Sequence, residues 1–252
     1  MVLKRICVST IIGTLCLLLT TVLGCSTRDT GPRYADNPIA SRETLSQVST
    51  IEALMEGQYE GIITYEELGR YGDFGIGTFD DLDGEMVGFD GDFYQVKADG
   101  TAYEVSGGMT APFAEVTFFD VDIERELPGR LDYEQFREYV DGLLPEADIF
   151  HAIVVEGEFS YMKTRSVPAQ EEPFLPLDDV LQHQAIFELN DVIGTMVGFR
   201  CPEFVADVNV PGYHLHFLSG DRTTGGHVLE FEIEDAVVSV DYTSDLYLIL
   251  PD

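Results

Sequence analysis

The chain has 252 residues, 46 of them acidic and 14 basic, for a formal net charge of -32. Such a balance repels nucleic acid and anionic lipid surfaces and excludes polyanion binding as the basis of function. Lysine occurs only at Lys4, Lys97 and Lys163, and an acid-rich, lysine-poor composition suggests adaptation to high salt, where screening removes self-repulsion.

Lys4 and Arg5 precede the apolar run Ile11–Leu19, which is too short and too early for a comfortable membrane span. Residues 1–24 therefore read as a secretory signal peptide. Its end, Val22-Leu23-Gly24-Cys25, resembles a lipoprotein cleavage box, although Leu23 stands where a small residue is more usual. On this reading the mature chain starts at Cys25, carries lipid on that thiol and lies outside the cytoplasm, anchored to a membrane. An ordinary signal peptide or an uncleaved anchor are the alternatives. Residues 25–45 are polar, broken by Pro and Gly and without apolar period, which predicts a flexible tether. Residues 46–252 then form the domain, about two hundred residues, enough for one well-packed unit or two small lobes. Cys7 and Cys16 leave with the leader, so acylation of Cys25 leaves Cys201 without a partner. Stability must come from the core.

Within the domain the pattern predicts a mixed, strand-rich α/β fold. Ser49-Thr50-Ile51-Glu52 reads as a capping box opening a helix through Met55 that stops at Gly57, and Thr64-Tyr65-Glu66-Glu67 repeats the signature before Gly69. From Gly75 short strands follow, with tight turns at Asp90-Gly91 and Asp99-Gly100. Asp132 caps a predicted helix whose stripe of Phe136, Tyr139, Val140, Leu143 and Leu144 is core packing. A strand resumes at Phe150–Val155. Pro168, Pro173 and Pro176 mark a connection, and a short helix near Asp178–Gln184 leads into further strands. Gly75-x-Gly77 lacks the strand–turn–helix setting of a dinucleotide site.

Three of the five histidines fall within fourteen residues: His214 and His216 in Tyr213–Phe217, and His227 in Gly225–Leu229. Side chains two apart on a strand share a face, so His214 and His216 point the same way. Ser219 to Gly225 is turn chemistry. The next run alternates, placing His227, Leu229, Phe231 and Ile233 inward and Val228, Glu230, Glu232 and Glu234 outward. An antiparallel hairpin then gathers three imidazoles. One inward histidine is ordinarily hydrogen-bonded core, but three at one point are what a catalytic zinc takes, with a position left for water or substrate. His151 and His183 have no partner at ligand spacing and read as structural.

The segments Gly72–Val87, Val197–Pro202, Val210–Ser219 and Gly226–Leu229 resemble the alpha-acetolactate decarboxylase family, and the resemblance runs from about Val48 to Asp252. It implies two α/β lobes sharing extended sheets, the N-terminal one about 46–170 and the C-terminal one about 171–252, in a homodimer. It also implies a Zn2+ site on a hairpin of the C-terminal lobe, held by His214, His216 and His227. Glu85 matches the family's glutamate beside the metal, Thr78 its threonine in the Gly-Thr-Phe strand, and Arg165 its substrate-facing arginine. The implied reaction takes 2-acetolactate to acetoin and CO2 on the route to butanediol, with no organic cofactor. The family runs on past its last strand and brings a second glutamate to the metal there; no residue of this sequence matches it.

The residues alone say less. Most glutamates in so acidic a chain are solvated, although Glu85 stands in an otherwise apolar or glycine-rich run. Arg165 suits two-point binding of a carboxylate, and an ordinary salt bridge is its bland alternative. A surface metal- or ligand-binding lipoprotein with reduced or no turnover is the second functional reading. Glu85, Thr78 and Arg165 together favour the enzyme, because metal capture alone needs none of them.

Overall fold

The computed structural model describes residues 41–144 and 148–251. The leader and most of the tether lie outside the described residues. The first strand, β1 (Thr44–Val48), starts two residues inside the expected tether. Helix α1 (Ile51–Met55) follows, capped by the Thr50 side chain accepting from the Ala53 amide. The cap is thus one residue later than the sequence suggests, because Ser49 takes a positive φ of 59° and turns the chain. Next come β2 (Ile63–Thr64) and α2 (Tyr65–Leu68), whose Thr64–Glu67 capping box forms as expected. Strands β3 (Phe74–Thr78), β4 (Glu85–Phe89), β5 (Asp92–Val96), β6 (Ala102–Glu104), β7 (Thr110–Ala111) and β8 (Ala114–Thr117) complete the first half. Asp90 and Gly91 turn β4 into β5 with φ of 56° and 80°, the left-handed pair that a two-residue hairpin loop favours.

The second half holds β9 (Ile123–Glu126), β10 (Leu131–Asp132), α3 (Tyr133–Asp141) and β11 (Phe150–Ser166). It continues with α4 (Leu177–Leu181), β12 (Ala185–Cys201), β13 (Gly212–Ser219), β14 (Gly225–Thr243) and β15 (Asp245–Ile249). Asp132 caps α3 reciprocally with Gln135. Phe136 and Val140 are buried from it, each worth roughly 1.5–3 kcal/mol of apolar transfer.

Seven strands form one sheet in the order β15-β1-β8-β3-β4-β5-β6. The second sheet runs β10-β14-β11-β12-β13, and β13 also pairs with β14, so β14, β11, β12 and β13 close into a ring. The division between the sheets does not coincide with the expected lobe boundary near residue 170. β11 already belongs to the second sheet, and β15 returns to the first, pairing in parallel with β1. The last strand of the described residues therefore lies beside the first.

One core lies between the sheets. Leu45, Phe74, Ile76, Val87 and Val96 meet Ala152, Val154, Val197, Phe199 and Cys201 there. A second core fills the other face of the ring, where Phe159, Phe217, Phe231 and Ile233 pack with α3. Both faces of β11 are thus covered near its start, which is why Phe150–Val155 reads as a continuous buried run. Cys201 is a buried free thiol, and no disulfide occurs among the described residues.

Asp241 of β14 is 2% exposed and accepts from the Asp120 amide at 3.1 Å. Burial raises its pKa to about 7, a rise that this amide opposes and Asp122, Glu43 and Asp120 reinforce. An unfolded aspartate titrates near ~3.9. Between those values the folded chain binds more protons than the unfolded one, so this group's contribution to stability falls as pH rises from about 4 to about 7. Thermal melts should show it. The wild type should lose melting temperature relative to Asp241→Asn across that interval, and equal pH dependence of the two would return Asp241 to ordinary titration.

Candidate active site

β13 and β14 pair antiparallel with His216 opposite His227, and His214 lies two residues from His216 on the same face. The expected hairpin therefore gathers the three imidazoles, and their ligand nitrogens all lie within 4.8 Å of one another. No other group of three or more such residues clusters in this way among the described residues.

His227 points inward as expected, but not on the face it was expected to share with Phe231 and Ile233. β14 pairs with β11 as Val228 opposite Thr164 and Glu230 opposite Lys163, so Leu229 is an extra residue in a β-bulge. Parity flips at the bulge. Val228, expected outward, is buried with Phe231 and Ile233 in the core under α3. His227 points the other way, into the space between the two sheets. There it meets Arg165, its cross-strand partner on β11. A glycine makes this fit possible. Gly226 has φ of +129°, and a Cβ on it would lie 2.4 Å from the Arg165 carbonyl oxygen.

The first sheet supplies the other wall. Thr78 and Glu85 stand opposite each other in the β3–β4 hairpin. The Thr78 hydroxyl donates to the Gly84 carbonyl at 2.7 Å, which braces the turn that presents Glu85. Glu85 is buried and accepts from Arg165 Nη1 at 3.2 Å, while its second oxygen lies 3.6 Å from His216 Nε2. Glu85 thus meets Arg165, 80 residues away in sequence, and His216, farther still. Arg165 forms a salt bridge, as its bland alternative expected, and the acid it meets is Glu85.

Hydrogen bonds assign the imidazole nitrogens. His216 donates from Nδ1 to the Met86 carbonyl at 2.7 Å, which leaves Nε2 bare. That nitrogen faces His227 Nδ1 at 3.3 Å. Nitrogens bound to one tetrahedral zinc at about 2.0–2.1 Å would lie about 3.4 Å apart, so the pair already has the spacing of two ligands. Burial holds His216 well below the usual imidazole range, aided by His214 and Arg165 and opposed by the Met86 hydrogen bond. His227 is lowered by burial, then Arg165, His214 and His216. Neutral imidazoles are the ligand form. The same burial raises the Glu85 carboxyl above its ordinary value, against the opposing charges of Arg165 and His214.

His151 and His183 stay apart from the cluster. His151 is buried edge-on against Tyr242, and burial lowers its pKa to about 4. His183 is exposed just beyond α4. One residue was missed: Glu115 of β8 is fully buried, with Oε1 3.5 Å from His214 Nδ1. Its signal was present, a lone acid inside Phe113-Ala114-Glu115-Val116-Thr117 in a chain whose other acids mostly lie in polar surroundings.

Three imidazoles converge beside a buried carboxyl–guanidinium pair, walled by two sheets, an enclosed cluster of the kind that could hold a metal ion. The sequence profile of the alpha-acetolactate decarboxylase family matches residues 45–252. Over 209 residues the chain is 49% identical to the alpha-acetolactate decarboxylase of Methanosarcina mazei, covering 83% of this chain and 73% of that one. It is 47% identical over 206 residues to that of Methylococcus capsulatus, covering 82% and 79%. The crystal structure of alpha-acetolactate decarboxylase from Bacillus subtilis strain 168 superposes with a TM-score of 0.82 at 40% identity, over 83% of this chain and 89% of that one. The chain belongs to the alpha-acetolactate decarboxylase family.

Proposed function

We propose that this decarboxylase converts 2-acetolactate to acetoin and CO2 at a zinc ion held by His214, His216 and His227. The observation that carries the metal is the convergence of three imidazole nitrogens, two of them 3.3 Å apart, with His216 oriented by a backbone carbonyl on its far nitrogen. Zinc bound there would supply Lewis acidity toward the hydroxyl and ketone oxygens of the substrate.

The chain's own groups account for the rest. Acetolactate carries a carboxylate, a tertiary hydroxyl and a ketone on adjacent carbons. Arg165, fixed by Glu85 and largely buried, offers its planar fork to the substrate carboxylate and orients the bond to be broken. Cleavage of that carbon–carbon bond releases CO2 and leaves its electron pair in the neighbouring ketone, as an enediolate. The former carboxyl-bearing carbon then takes one proton, and the product is acetoin. Glu85 is the acid placed to deliver it, since burial favours its protonated form. Delivery from one wall of a two-walled site gives one hand of product. Thr78 keeps the Glu85 turn in place. A lipid anchor at Cys25, an extracytoplasmic address and a homodimer are part of the same proposal and rest on the sequence and the family resemblance.

Acetoin formation from racemic acetolactate by the purified chain, with zinc measured on the same sample, tests the reading. One zinc per chain is expected, and replacing His214, His216 and His227 together by Ala should remove it. A triple variant that still bound one zinc per chain would refute the ligand assignment. Arg165→Lys should keep zinc and fold but lose about a hundred-fold in activity, because a point charge cannot reproduce the fork; wild-type turnover would reduce Arg165 to a structural ion pair. Glu85→Gln should retain zinc and lose about a hundred- to ten-thousand-fold in rate. In the wild type, activity should fall as pH rises through the elevated Glu85 pKa, since the donor is then deprotonated. A Glu85→Gln enzyme with unchanged rate and stereochemistry would place the proton donor elsewhere.

A further inference from the structure

We propose that Glu115 is a positioning residue of the metal centre: its carboxylate accepts the Nδ1 proton of His214 and so fixes which nitrogen His214 presents to the ion. The inference rests on the zinc reading above and concerns a residue that reading does not use.

Two buried groups stand without partners here. Both oxygens of Glu115 are buried without a hydrogen-bond partner, and so is Nδ1 of His214. The two side chains face each other, Nδ1 to Oε1 at 3.5 Å, a gap that a small ring rotation closes to a hydrogen bond. Buried polar groups are almost always paired, and two orphans in contact are each other's natural partner.

The polar side chain next to Glu115 across the sheet is already engaged. On β8 it stands opposite Gln47 of β1 and Ile76 of β3, so its side chain shares their face, the one turned toward the second sheet. Gln47 is fully committed. Its Nε2 donates to the Ser49 and Val208 carbonyls, and its Oε1 accepts from Asn209. Glu115 is not among the groups whose donor atoms converge on the cluster. Its contact with the cluster is to His214 Nδ1, at 3.5 Å. His216 is held in a similar way, with Nδ1 anchored to the first sheet through Met86 and Nε2 left free. Under the proposal His214 follows the same rule, with a carboxylate in place of a carbonyl. A carboxylate partner also raises the basicity of the opposite nitrogen. In return, a bound divalent ion supplies the positive charge that a carboxylate sealed from water requires.

The test uses the full chain with zinc bound and two variants. Glu115→Leu removes the acceptor and fills similar volume with apolar atoms, whereas Glu115→Gln keeps one acceptor oxygen. Chelator competition should show zinc held about 10- to 100-fold more weakly in Glu115→Leu, with a smaller loss in Glu115→Gln and melting temperatures that do not follow that order. Unchanged zinc affinity in Glu115→Leu, with only the melting temperature moved, would overturn the proposal. If the wild type takes up no zinc, the metal reading fails separately. The 15N shifts of His214 in that metal-free chain then decide: protonation at Nδ1 that is lost in Glu115→Leu supports the pairing, and an unchanged tautomer refutes it.

Discussion

The contact between Glu85 and Arg165 joins the two sheets at the site and sets the chemistry on both sides of it. Glu85 rides on β4 of the first sheet and Arg165 on β11 of the second, with 3.2 Å between their atoms and little water around either. Removing Glu85 leaves the buried Arg165 guanidinium without this acceptor, which destabilises the seam. The contact therefore constrains how the sheets stack, and the core between them must place β4 and β11 to satisfy it. His216 lies 3.6 Å from the other Glu85 oxygen and bonds to the backbone of the next residue, Met86. One short strand segment thus orients the acid and one imidazole together.

Sheet geometry explains how one β-hairpin and a distant arginine reach that contact. The ring of β11, β12, β13 and β14 brings His227 beside Arg165 on one flank and His216 on the other. Without the bulge at Leu229, strict alternation would turn either His227 or the Phe231–Ile233 pair to the wrong side. The extra residue lets one strand feed two cores, the inter-sheet site at its start and the packing under α3 further along. Gly225 and Gly226 complete the arrangement by letting β14 lie flush between its neighbours. A Cβ on Gly225 would lie 2.1 Å from the Phe217 carbonyl oxygen.

Those features divide what could be read from the sequence from what could not. The gathering of His214, His216 and His227 was legible because it depends on local rules, a period of two and a turn between. The caps of α2 and α3 were legible for the same reason. That His227 faces a different core from Phe231 and Ile233 was not, because Leu229 looks like any other apolar strand residue until β11 is laid beside it. The sheet boundary was missed because β11 runs 17 residues through charged and apolar positions alike, with no break in composition to mark its membership. Glu85 and Arg165 were reached through the family resemblance, and only the folded chain shows that they touch. Glu115 escaped because a glutamate's burial is decided by strands far away in sequence, β1 and β13 here.

Burial also gives the site a consistent set of protonation states. Taking a group out of water disfavours its charged form, which raises the carboxyl of Glu85 and lowers the imidazoles of His216 and His227. The two shifts run toward each other, since an ordinary glutamate titrates below an ordinary imidazole: the acid keeps its proton to higher pH and the bases lose theirs at lower pH. Arg165 acts unequally on the two sides. Its charge deepens the lowering at both histidines, yet restrains the rise at Glu85. Under the proposed role of Glu85 the restraint has a use, since a carboxyl pushed too high would hold its proton too firmly to deliver it to carbon. A substrate carboxylate drawn to the same guanidinium would share that charge and weaken its hold on Glu85. The acid should then favour its protonated form most when the substrate is bound, just before the proton is needed, and relax toward the ionised form once CO2 has left.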